Sequence, residues 1–166
     1  MYAIFGATGK IGGAAVRDLR LRGLPVRAIV RDAMKATSLS QSGCEIAVAD
    51  IHDAAGLKIA LAGASEVLVI CPMNPKVEDA PAEHKNMIGA IGKALEHVKP
   101  RSIVAISDYG AQHSTGTGVT VTFHLLEQRL RSIPVPCTFL RSAEHMQNWS
   151  RFLKGAGKTG VLPTFY

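Results

Sequence analysis

Tyr2-Ala-Ile-Phe5 runs straight into Gly6-Ala-Thr-Gly9-Lys-Ile-Gly12, and this junction decides how the rest of the chain is read. A short apolar run that stops at a glycine reads as a strand. Ile11, Ala15 and Leu19 then recur at helical spacing until Gly23-Leu-Pro25 breaks the pattern. Glycines spaced GxxGxxG therefore sit where a strand hands over to a helix. At such a junction one glycine lets the chain turn sharply, one lets the backbone approach a pyrophosphate, and one lets helix pack on strand. The exposed N–H groups and the helix dipole at Lys10 and Ile11 favour an anion without any side-chain charge. Gly6, Ala7, Thr8, Gly9, Lys10, Ile11 and Gly12 are thus candidate cofactor-binding residues, placed as a dinucleotide fingerprint requires.

Outward from this loop the same beat repeats. Val26–Val30 and Glu45–Ala49 read as the second and third strands, and a helix runs from about Asp53 to Leu61. Glu66–Ile70 is almost wholly apolar, as a parallel strand covered on both faces should be. Met87, Ile88, Ile91 and Leu95 stripe a helix that stops before Pro100. Ser102–Ile106 is the fifth strand. After the Gly-rich stretch from Gly110 to Gly118, Phe123, Leu126 and Leu130 mark another helix, and Pro136–Leu140 makes a sixth strand. This alternation predicts an α/β fold: a doubly wound, Rossmann-like parallel sheet of about six strands with helices on both faces, spanning residues 1–166 as one domain. Lys154–Gly160 lacks periodicity and reads as a flexible tail. Its Gly157-Lys-Thr159 resembles the end of a P-loop, but the required first glycine would fall on Phe152 and no apolar strand precedes it.

Ligands of doubly wound sheets sit beyond the carboxyl ends of the strands. After the second strand, where an enzyme using NAD would usually place Asp or Glu for the ribose 2′-OH, Val30 is followed by Arg31. A guanidinium there pairs with a 2′-phosphate and stacks on the adenine, and Lys35 adds charge nearby. NADP(H) is favoured over NAD(H), although Asp32 next door keeps NAD open. Asp50 and Ile51, straight after the third strand, are further candidate cofactor-binding residues; Asp50 is placed either to accept from the adenine amino group or to cap a helix, for which Asp53 is better placed. Cys71, Pro72 and Met73 at the end of the fourth strand are expected to line the nicotinamide-side ribose.

Composition narrows the function classes. Hydrophobic residues make up 47% and charged residues 19%, as in a globular protein rather than a disordered one. No apolar run approaches bilayer-spanning length, and a strand starting at the first residue leaves no room for a cleavable signal, so no membrane partner and a cytoplasmic location are expected. The 19 basic and 13 acidic residues leave a net charge of +6, but the basic residues are scattered and lack aromatic interleaving, which argues against nucleic acid. Cys44, Cys71 and Cys137 are odd in number, far apart and without a CxxC, which suits a reducing compartment and buried thiols. His84, His97, His113 and His145 share no metal-ligand spacing with a cysteine or carboxylate, so no metal is expected.

The chain resembles the NmrA-like family within the atypical short-chain dehydrogenase/reductases. The resemblance rests on GATGKIGG at Gly6–Gly13, VRD at Val30–Asp32, AD at Ala49–Asp50, Ser107–Gln112, His124–Glu127 and Thr138–Trp149, with Ser142 where the family has proline. It covers nearly the whole chain. It implies an NADP(H)-binding Rossmann domain, in a family of quinone, imine and dye reductases that also includes non-enzymatic redox sensors. Family members commonly run to nearly twice this length, and the part absent here supplies most of the substrate pocket.

The Tyr-x-x-x-Lys pair of ordinary short-chain dehydrogenases is missing: the corresponding helix reads Thr120-Val-Thr-Phe-His124, and Tyr109 is followed four residues on by His113. Ser107 matches the region of the family's active-site serine, where it would orient a substrate carbonyl, contact the nicotinamide, or only stabilise a turn. His124 is either a proton relay or a half-exposed packing residue. The expected function is an NADPH-dependent oxidoreductase passing hydride to a small carbonyl, quinone or imine. The alternative is an NADP(H) sensor acting on a protein partner. Apolar residues from Trp149 to Phe165 are further expected to drive self-association.

Overall fold

Along the first strand, Ala3 points into one core and Ile4 into another, because successive strand residues face opposite sides of a sheet. The computed structural model describes residues 1–72, 77–143, 145, 149, 150 and 152–162. Its strands are β1 (Tyr2–Ile4), β2 (Val26–Val30), β3 (Glu45–Val48), β4 (Glu66–Val69), β5 (Ser102–Asp108) and β6 (Cys137–Ser142). They form one six-stranded sheet in the order β3-β2-β1-β4-β5-β6. Every pairing is parallel, and Tyr2 of β1 is in register with both Val26 of β2 and Glu66 of β4. The direction of strand succession reverses between β1 and β4, and that point locates the ligand crevice of a Rossmann-like sheet.

The helices are α1 (Lys10–Leu21), α2 (Thr37–Gln41), α3 (Ala54–Ala60), α4 (Ala80–Val98), α5 (Val121–Arg131) and α6 (Leu153–Thr159). The larger core joins Ala3, Ile29, Val67, Val69, Ile103 and Ala105 of the sheet to Leu57 of α3, Ile91 and Leu95 of α4, and Leu126 and Leu130 of α5. The smaller core joins Ile4, Ala28 and Val30 to Val16 of α1, with Leu39 of α2 packed against it. Leu57, Leu95 and Leu130 are fully buried, and burying such a side chain contributes roughly 1.5–3 kcal/mol. Helices thus cover both faces of the sheet. Among the described residues no helix is long and apolar enough to cross a membrane.

Helix starts follow local chemistry. Asp53 caps α3 by accepting from the Ala55 N–H at 3.0 Å, and Asp79 caps α4 by accepting from the Ala82 N–H at 3.0 Å. Lys99, left-handed at φ 48°, ends α4 before Pro100.

Several elements depart from the sequence reading. β5 and β6 each run two residues beyond the expected strand, so Ser107 lies within β5 and not in a turn. A 3₁₀ turn at Ala33–Ala36 leads into α2, in a stretch with no apolar periodicity to announce it. Part of the expected flexible tail is helix α6, held by the Thr159 hydroxyl donating to the Gly155 carbonyl at 3.0 Å and closed by left-handed Gly160. It buries no residue, so it leaves no stripe in the sequence.

Candidate functional site

The cleft starts at the β1–α1 junction. Gly6 adopts φ +61°, a conformation that L side chains avoid. Its carbonyl accepts from the Gly9 N–H at 2.9 Å. Gly12 lies against the same carbonyl: a Cβ there would sit 2.3 Å from the Gly6 oxygen. The glycines therefore bring the first turn of α1 down onto the strand end. No side chain caps α1 and its first turn holds no acidic residue, so its positive dipole end is uncompensated. A cavity of about 220 Å³ opens there, bounded by Gly6, Gly9, Lys10, Ile11, Gly12 and, across the cleft, Ile70 and His145. Ala7 is buried in the smaller core and does not border this cavity.

Beside it, Thr8, Val30, Arg31, Asp32 and Lys35 enclose about 390 Å³ at the end of β2. Asp32 uses Oδ1 to accept from the Met34 N–H at 2.9 Å, which starts the 3₁₀ turn. Past β3, Asp50 is exposed but engaged: its Oδ1 accepts from the His52 N–H at 2.9 Å and lies 3.0 Å from His52 Nδ1. The His52 backbone N–H is the main cause that holds the Asp50 carboxyl below its ordinary range. Asp50 is not the cap of α3, and Ile51 turns inward to the larger core.

A third cavity, of about 430 Å³, lies over the ends of β4, β5 and β6, and shares Ile11, Ile70 and His145 with the first. The two adjoin at these residues, beside the reversal point. Cys71, Ser107, Asp108, Phe123 and Ser142 also border it. Burial pushes the Cys71 thiol up to about 12. Ser107 donates its hydroxyl to Glu127 Oε1 at 2.6 Å. Glu127, on α5, is wholly buried and clamped by two arginines: Arg141 Nε donates to Oε1 at 2.8 Å, while Arg131 and Arg141 each donate an Nη2 hydrogen to Oε2 at 2.7 Å. Arg141 foremost holds this carboxyl down at about 2. Asp108 accepts from the Thr120 hydroxyl at 2.6 Å, and Ser142 donates to the Ser107 carbonyl at 3.2 Å. Behind Phe123, fully buried His84 meets that ring edge-on at a centroid distance of 5.9 Å, and burial lowers its pKa.

The structure therefore brings Gly6, Gly9, Lys10, Ile11, Gly12, Cys71 and Ser107 to one cleft, with Thr8 and Arg31 beside it. Pro72 is exposed next to Cys71, and Met73 lies outside the described residues. His124 is not brought in: half-buried on α5, its Nδ1 lies 2.9 Å from the Ala111 carbonyl. Sequence reasoning missed Glu127, Arg141, Asp108 and His145 as parts of the site. The i, i+4 spacing of Glu127 and Arg131 was the one local signal for the first. Among the described residues, no group of His, Cys, Asp or Glu could hold a metal ion.

The model of the NmrA-like family matches residues 2–164. The chain belongs to the NmrA-like family. It is 36% identical over 165 residues to quinone oxidoreductase 2 of Escherichia coli, covering 98% of this chain and 55% of that protein. It is 27% identical over 160 residues to the NAD(P)H azoreductase of Xenophilus azovorans, covering 96% of this chain and 54% of the relative. The chain thus spans about half the length of the curated relatives it matches. Among solved structures, the Citrobacter sp. triphenylmethane reductase complexed with NADP(H) superposes with a TM-score of 0.82 at 25% identity, over 95% of this chain and 55% of that one.

Proposed function

We propose that this chain forms the cofactor-binding part of an NADPH-dependent oxidoreductase that reduces a small carbonyl, quinone or imine. The observation that carries the reading is the pair of adjoining cavities at the sheet's reversal point, one bordered by an uncapped helix N-terminus and the other by strand ends. It fits a dinucleotide: the lack of a Cβ at Gly12 lets α1 pack onto the Gly6 carbonyl, and the uncapped first turn of α1 borders the cavity, where its backbone N–H groups would meet a pyrophosphate. The NmrA-like relatives support the chemistry, since a quinone oxidoreductase and an azoreductase are among them and a triphenylmethane reductase takes NADP(H).

NADP(H) is preferred over NAD(H) on two grounds. Arg31 and Lys35 place positive charge at the end of β2, and the Asp32 carboxylate that would otherwise meet a ribose hydroxyl serves as a cap. Bound there, the reduced nicotinamide supplies a hydride. The protein's own residues hold and orient. Gly6–Gly12 seat the pyrophosphate, Arg31 pairs with the 2′-phosphate, and the ends of β4 and β5 at Cys71 and Ser107 position the reactive ring. The Ser107 hydroxyl directs its hydrogen to Glu127, so it offers the cleft a lone pair and acts as an acceptor.

Calorimetric titration with NADPH and with NADH, followed by NADPH oxidation in the presence of quinones, aldehydes and imines, tests the reading. Tight NADPH binding, weak NADH binding and turnover are expected. Absence of binding by the folded chain would overturn it. Binding without turnover of any acceptor would favour a sensor of the NADP(H) pool.

A further inference from the structure

Reduction of a carbonyl requires a proton as well as a hydride, and the side chains around the 430 Å³ cavity differ in whether they have one to give. Ser107 donates its hydroxyl hydrogen to Glu127 at 2.6 Å, a carboxylate kept ionised by Arg141 and Arg131. Ser142 donates to the Ser107 carbonyl at 3.2 Å. Burial makes the Cys71 thiol a very weak acid, pushed up to about 12. Asp108 is an acceptor, taking the Thr120 hydroxyl hydrogen at 2.6 Å. The tyrosine and lysine that serve ordinary short-chain dehydrogenases are absent, and His124 is bonded to the Ala111 carbonyl away from the cavity.

His145 is different. It lies three residues beyond the end of β6, exposed to water, and borders both the glycine cavity and the strand-end cavity. Histidine is the side chain whose chemistry suits proton exchange near neutrality. The charged and titratable groups bordering the same cleft are Lys10 on α1, Cys71 after β4 and Asp108 on β5.

We propose that His145 is the catalytic acid of this cleft, giving its imidazolium proton to the substrate heteroatom as hydride arrives. For a carbonyl, the hydride forms the new C–H bond and the C=O π pair moves onto oxygen. That oxygen forms its O–H bond as the imidazolium N–H bond breaks. Neutral His145 then regains a proton from water, to which its exposure gives access. An imine nitrogen is protonated in the same way. The inference rests on the oxidoreductase reading and deepens it.

The test compares the wild-type chain with His145→Gln, an exposed substitution whose folding is checked by thermal melting. In NADPH oxidation with an aldehyde or quinone, the variant should lose about 10²–10⁴-fold in kcat, with KM and NADPH affinity within about twofold of wild type. The pH profile of the wild-type rate should differ from that of the variant. Imidazole added to the buffer should restore part of the variant's rate. Independently of turnover, the histidine side-chain resonance that disappears in His145→Gln should shift when NADP⁺ is added to wild type. An unshifted resonance, or a variant with wild-type kcat and pH profile, overturns the assignment of His145 while leaving the oxidoreductase reading standing. A wild-type chain that binds NADPH but turns over nothing overturns both.

Discussion

Gly12 has no room for a methyl group, because the Cβ of alanine would meet the Gly6 carbonyl oxygen at 2.3 Å and both atoms belong to backbone held by β1 and α1. Gly12→Ala should therefore destabilise the chain by roughly 1–3 kcal/mol in urea unfolding, the scale of overpacking, and weaken NADPH binding where the fold survives. Arg31 makes a sharper test. Arg31→Ala should weaken NADPH by roughly 1–3 kcal/mol, the scale of a charge-assisted hydrogen bond, and leave NADH nearly unchanged by calorimetry. Equal loss for both cofactors would show that Arg31 does not read the 2′-phosphate. Both residues were legible in the sequence because their chemistry is local: a turn demands a glycine, and a strand end places one side chain. Glu127 was not. In Leu126-Glu-Gln-Arg129 a carboxylate reads as part of a solvated helix face, and its burial depends on Arg141 arriving from β6. Ser107 was legible as a hydroxyl at a strand end, but which way its proton points is set by Glu127 across the core.

At the scale of elements, the Glu127 clamp fastens α5 to β5 and β6 through one carboxylate. Removing its charge leaves two guanidinium groups facing a neutral amide, so Glu127→Gln should lose about 3 kcal/mol by urea unfolding at neutral pH, near the lower end for a broken buried pair. The pH dependence has a fixed sign. The Glu127 carboxyl is held at about 2 in the fold against an ordinary value of 4.5, so its stabilisation is complete above the ordinary value and is lost as pH falls towards 2. Wild type should weaken over that acid range relative to Glu127→Gln, and the gap between them should shrink. Of the helices that sequence reading located, α3, α4 and α5 bury apolar residues in the larger core, while α1 buries Val16 in the smaller one with Leu19 packed beside it. α2 and α6 bury none of their own residues, which explains why the same reasoning passed over them.

For the whole molecule, the alternation of strand and helix was enough to infer a doubly wound sheet, because right-handed crossovers leave few ways to stack such units. The end of the chain was less legible. Leu153, Val161 and Leu162 are exposed at 62%, 65% and 44%; Trp149 and Phe152 are half-buried, and residues 151 and 163–165 of the same stretch lie outside those described. The exposed leucines and valine predict concentration-dependent association by sedimentation velocity; one monomeric species at every concentration would remove the prediction. The sheet order also governs how the protein comes to be made. β1 occupies the middle of the sheet, yet of its two neighbours only β2 follows closely, while β4 begins at Glu66. During translation β1 emerges before either neighbour and keeps one edge unpaired until β4 has been synthesised. That interval leaves apolar backbone open to mispairing with other nascent chains. The segment that builds the glycine cradle is thus the one most dependent on protection at the ribosome, because its second neighbour arrives late.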